Sequence, residues 1–164
     1  MIEDKNLTDN FTLYELTKTS YKEFQERNRE LSEHQIDKLT QLARLLEHVR
    51  YVLGNPLIIS SGYRCEPLNK AVGSKPSSQH LLCEAADIVP GKMDVGEAFR
   101  LLWRDIKDKG TNVGQLIFET ANRPYGVTSW IHISLGTPYR DASRCKEILR
   151  MTELNGEQVY ERLA

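Results

Sequence analysis

Apolar residues recur every three or four positions between Ser32 and Gly54. Ile36, Leu39, Leu42, Ala43, Leu46, Val49 and Val52 mark one face of a helix over 32–53. Ser32 followed three residues later by Gln35 has capping-box spacing, and Gly54 supplies the stop. A second helix is expected from an Asp94 cap to about Lys109, with Val95, Ala98, Phe99, Leu102 and Ile106 on its apolar face. Short apolar runs predict strands at Leu57–Ser60, at "AADIVP" (85–90), at "GQLIFE" (114–119) and at "SWIHISL" (129–135). The last two are joined by a turn-rich loop containing Asn122, Pro124 and Gly126. Asn155-Gly156 separates two further β-capable runs and signals a C-terminal hairpin. Near the N-terminus, "NFTLYELTKTS" reads as a docking segment anchored by Phe11 and Leu13, with Thr12 or Asn10 as a cap. Helices and strands fall in separate blocks, which predicts an α+β fold with a small, mainly antiparallel sheet flanked by helices.

Residues 62–84 interrupt this regularity. They are rich in Gly, Ser, Pro and Asn, with one helical turn expected near Pro67–Ala71. A loop of that length inside a compact domain is usually functional.

A chain of 164 residues suits one domain with a real core. Its 22 basic and 23 acidic residues are nearly balanced, so no charge excess points to nucleic acid as a partner. No apolar run reaches membrane-spanning length, so no membrane anchor is expected. The polar start "MIEDKNLTDN" does not read as a secretory signal, which implies synthesis in the cytoplasm. Cys65, Cys83 and Cys145 are odd in number and widely spaced, so free thiols are expected.

The candidate chemistry lies in "SSQHLLCEAADI" (77–88), where Asp87 enters an apolar strand. A carboxylate there is costly unless an arginine, backbone donors or a metal offsets its desolvation. Of the four histidines, His34 and His48 sit among charged neighbours on the long helix and read as surface residues. His80 closes the polar loop. His132 alternates with Ile131 and Ile133, which places it on one strand face with Trp130 and Ser134. Two imidazoles and one carboxylate, with an open position for water, make a catalytic zinc set, although no compact motif such as H-E-x-x-H is present. His80 and Cys83 also make an H-x2-C spacing; a buried thiol is the preferred reading over a thiolate ligand.

"SGYRCEPLNKAVGSKPSSQHLLCEAADI", followed by "QLIFE" and "WIHIS", resembles the zinc D-Ala-D-Ala carboxypeptidase family, which shares the hedgehog/D,D-peptidase fold. The resemblance covers about residues 10–136 and is nearest to the phage-type branch, which also opens with an "NFTLxEL"-like segment. It implies Zn²⁺ bound by His80, Asp87 and His132, the family's H-x6-D pattern followed by a distant strand histidine. The arginine of the "SGYR" element falls on Arg64, to stabilise an oxyanion or hold a substrate carboxylate. Ser78 and Gln79 fall on the "SSQH" positions and, with Trp130, are candidate substrate contacts. Many relatives carry an acid three residues before the second histidine, where this chain has Ser129. In the phage-type and hedgehog branches the acid instead ends the preceding strand, so the resemblance implies Glu119 as the general base, beside His132, with Glu84 as the alternative facing solvent. Relatives often have glycine where this chain has Cys83.

The implied function is hydrolysis of peptide bonds in peptidoglycan stem peptides, in the manner of a carboxypeptidase or an endolysin. The alternatives are a non-catalytic zinc-containing module, virion-associated in one version, and a cytosolic D-Ala-D-Ala dipeptidase. The expected protein is a monomer of one domain, 1–164, with a helical segment 10–54, a metal-site core 56–136 and a hairpin extension 140–164. It would reach the wall after release or on a particle.

Overall fold

The computed structural model describes residues 3–164. The long helix forms as α1 (Glu33–Leu53). Its capping box closes as the spacing predicts: the Gln35 amide donates to Ser32 Oγ at 3.2 Å, and the Ser32 amide donates to Gln35 Oε1 at 2.9 Å. Gly54 follows at φ +58. Strand β1 (Leu57–Ser61) leads into the long loop, whose single helical stretch is α2 (Glu66–Ala71), with Pro67 in its first turn. Strand β2 (Ala85–Pro90) is "AADIVP" itself. Asp94 caps α3 (Val95–Lys109) by accepting the Glu97 amide at 2.9 Å, and Gly110 ends it at φ +72.

Strands β3 (Val113–Arg123) and β4 (Gly126–Leu135) pair antiparallel and are longer than the sequence predicts. Asn122 and Gly126, expected in a loop, lie in the ladder as Asn122↔Val127 and Arg123↔Gly126. Backbone pairing carries the ladder to a tight turn at Pro124-Tyr125, whatever the turn propensity of Asn122. Strand β5 (Glu147–Leu154) then pairs parallel with β3, and β6 (Glu157–Arg162) pairs antiparallel with β5. Asn155 and Gly156 turn this last hairpin at φ +52 and +81, the left-handed pair that an Asn-Gly turn requires. The six-stranded sheet has the order β1-β2-β4-β3-β5-β6 and is mostly antiparallel, so the expected α+β class holds.

The chain divides into two compact units, one comprising the chain up to His48 with Ile59–Ala86, the other Val49–Ile58 with Asp87–Ala164. In the first, Phe11, Leu13 and Leu16 are buried along with Leu39, Leu42 and Leu46, so the N-terminal segment does dock through its apolar positions. Thr12 caps it by accepting the Glu15 amide at 3.2 Å. In the second, Ile131 and Ile133 fill one face of β4 with Phe99, Leu102 and Ile106 of α3 also buried, and Phe99 meets Phe118 of β3 at 5.7 Å between ring centroids. The opposite face of β3 and β4 carries Glu119 and His132.

Candidate metal centre

His80 sits at 4 % exposure in a run of tight turns. Its ring Nδ1 lies 2.7 Å from the Gly62 carbonyl oxygen. A carbonyl oxygen only accepts, so Nδ1 carries the proton and Nε2 keeps its lone pair. The His80 carbonyl accepts the Arg64 amide at 3.2 Å, so the "SGYR" segment grips this histidine from both sides. Ser78 Oγ accepts the His80 amide at 3.3 Å, and the Gln79 carbonyl accepts the Leu82 and Glu84 amides. Cys83 adopts φ +61 in this turn, a left-handed conformation that glycine takes without strain.

Asp87 lies on β2 at 7 % exposure, and its Oδ1 is 3.0 Å from Nδ1 of His132 on β4, itself 7 % exposed. His80, Asp87 and His132 each offer a ligand atom, and these atoms all lie within 4.8 Å of one another. Two imidazoles and a carboxylate, buried and convergent, are the donor set of a catalytic zinc site, so the residues present fit the metal that their pattern implies.

Glu119 is 8 % exposed on β3. The register pairs it with Trp130, while His132 pairs with Ile117. Glu119 is therefore the diagonal neighbour of His132 on the same sheet face, rather than its direct cross-strand partner.

The family model for Peptidase M15 matches residues 10–134, three quarters of the chain and all of the residues just described. The chain belongs to the Peptidase M15 family. No curated protein matches it at a significant level. M15 peptidases are zinc-dependent, and in this member the metal would be held by His80, Asp87 and His132.

This M15 chain departs from expectation at Glu84. The residue does not face solvent: it is 5 % exposed and its Oε1 receives Lys38 Nζ at 2.5 Å. A carboxylate engaged in a buried ion pair is poorly placed to accept a proton from water. His48, expected at the surface, is half-buried, because α1 turns that position toward its packed side. Cys65, Cys83 and Cys145 are free, and burial pushes the Cys83 thiol up to about 12. A thiol held that firmly in its protonated form is a poor metal ligand.

Arg64 Nε donates to Ser61 Oγ at 2.9 Å, and its side chain lines a cavity with Lys18, Tyr21, Ser60 and Tyr63. Gln79 is buried, with Oε1 lacking a hydrogen-bond partner. Trp130 has its Nε1 buried without a partner, and Arg123 lies over its ring at 6.0 Å.

Asn28 was invisible to sequence reasoning. It is wholly buried, donates through Nδ2 to the Thr17 carbonyl at 2.6 Å and the Tyr63 carbonyl at 2.9 Å, and accepts the Cys65 amide at 2.7 Å. These bonds bracket Arg64. A lone asparagine in the charged run "QERNRE" carries no local signal of that role.

Proposed function

We propose that this M15 chain is a zinc metallopeptidase that hydrolyses peptide bonds in peptidoglycan stem peptides, in the manner of the phage-type branch that its sequence resembles. The observation that carries the reading is the convergence of His80, Asp87 and His132 in a buried group, with a buried glutamate one diagonal step from His132. Zn²⁺, when bound, lowers the pKa of its water and polarises a carbonyl.

The chain's own residues supply the rest. The Gly62 carbonyl fixes the His80 tautomer, so the imidazole presents Nε2 without a competing proton. Glu119 takes a proton from the attacking water at a carboxylate oxygen and delivers it to the departing amine nitrogen. Its low exposure keeps bulk water from competing for that proton. Arg64 presents a planar fork suited to a substrate carboxylate or a developing oxyanion. The protein acts on the wall after release from the cell or from a particle.

Incubation of the zinc-loaded protein with purified murein, followed by mass spectrometry of the soluble products, tests this. Fragments cut at a stem-peptide bond are expected. Failure to cleave at any pH between about 5 and 9, the range in which metal-bound water titrates, would sink it.

A further inference from the structure

The matched family region ends at residue 134, before β5 and β6 begin. These two strands extend the sheet on the side of β3 that carries Glu119. The register runs as one row across four strands: Trp130 on β4 opposes Glu119 on β3, Glu119 aligns with Met151 on β5, and Met151 opposes Tyr160 on β6. Aligned residues on neighbouring strands project to the same face. Tyr160 is thus on the face of Glu119 and His132, separated from Glu119 only by Met151, which is 1 % exposed. We propose that Tyr160 is a substrate-contacting residue that the C-terminal hairpin adds to the site, its phenol O–H donating a hydrogen bond to a peptide carbonyl oxygen of the substrate bound over Glu119.

Two observations support the assignment. Desolvation first, then the charges of Glu119 and Asp87, raise the phenol above its ordinary range, so the ring stands within the field of both carboxylates and keeps its proton as a donor. The residue is nonetheless 47 % exposed, so a ligand can reach it. Its O–H donates at present to Gln158 Oε1 at 3.2 Å, a bond between two exposed side chains that a substrate carbonyl can replace at little cost. A peptide carbonyl is the fitting acceptor, since a phenol that keeps its proton donates and a carbonyl oxygen only accepts.

This inference rests on the peptidase reading above. The test compares wild type and Tyr160→Phe as full chains, by steady-state kinetics of the zinc-loaded proteins on a murein stem peptide and by calorimetric titration of the metal-free proteins with the same peptide. Loss of one ground-state hydrogen bond should raise both KM and the peptide Kd about 5–10-fold and leave kcat within about two-fold, with zinc content and melting temperature unchanged. A wild type that cleaves the peptide, with KM and Kd unaltered in the variant, overturns the role of Tyr160 alone. A wild type that neither binds nor cleaves it overturns the peptidase reading, and this inference with it.

Discussion

The His80 imidazole and the Gly62 carbonyl oxygen stand 2.7 Å apart, one residue in a loop rich in turns and the other just past the end of β1. Close backbone packing on the other side of the same residue explains why glycine opens the "GYR" segment. A Cβ at Gly62 would come within 2.3 Å of the Leu16 carbonyl oxygen, a backbone atom that cannot swing aside. Gly62→Ala should therefore displace the carbonyl that orients His80. Zinc affinity, read by competition with a chelating dye, is expected to fall about 10–100-fold, the usual effect of losing a residue that orients a metal ligand. Unchanged affinity would show that the Gly62 contact does not set the imidazole.

The chain is expected to bind about one equivalent of Zn²⁺, measured by elemental analysis. Asp87→Ala should abolish stoichiometric binding, and chelation should lower the melting temperature of the wild type, because a ligand that binds only the folded state stabilises it by mass action. Full occupancy in the Asp87 variant would contradict the ligand assignment.

Glu119→Gln should reduce turnover of murein peptides roughly 10²–10⁴-fold with little change in zinc affinity, since the amide keeps the shape but cannot accept the proton. Arg64→Lys should also lower turnover, because a point charge cannot replace a bidentate fork. Loss of metal in the Glu119 variant would make that residue a ligand and not a base.

Glu84→Gln separates the two acids. The Lys38 side chain is only 14 % exposed, and the substitution strips it of its carboxylate partner. Breaking a buried pair on one side costs on the order of 3 kcal/mol, so the denaturation midpoint should drop while turnover per folded molecule holds. A loss of turnover without a loss of stability would move the base to Glu84.

Cys83 offers a pH signature. Its thiol is raised from 9.0 to about 12 by burial, so the folded protein retains a proton that the unfolded chain releases. The stabilisation from this group is complete below pH 9 and is lost as pH rises through the interval up to about 12. Cys83→Ala should flatten that alkaline decline in urea midpoints. In the native wild type, alkylation near pH 8 should label the half-buried Cys145 first and leave Cys83 intact until unfolding.

Local spacing determined the elements of this protein. The capping box at Ser32 and Gln35, the Asp94 cap, the strand "AADIVP" and the Asn155-Gly156 turn each depend on residues within five positions of one another, so the chain carries them in one dimension. The cluster of His80, Asp87 and His132, which could hold a metal, was legible for a related reason: residue type, the His80–Asp87 spacing and the alternation around His132 belong to a motif written along the sequence. Only the tertiary structure decided the partners. Lys38 lies 46 positions from the Glu84 it neutralises, and Asn28 lies 35 from the Tyr63 carbonyl that it holds. The parallel pairing of β5 with β3, which puts Tyr160 in the row of Glu119, follows from which strand edge and which apolar face remained to be covered. Those choices are settled by burial and by the pairing of backbone groups across the whole sheet, and no local window of sequence contains them.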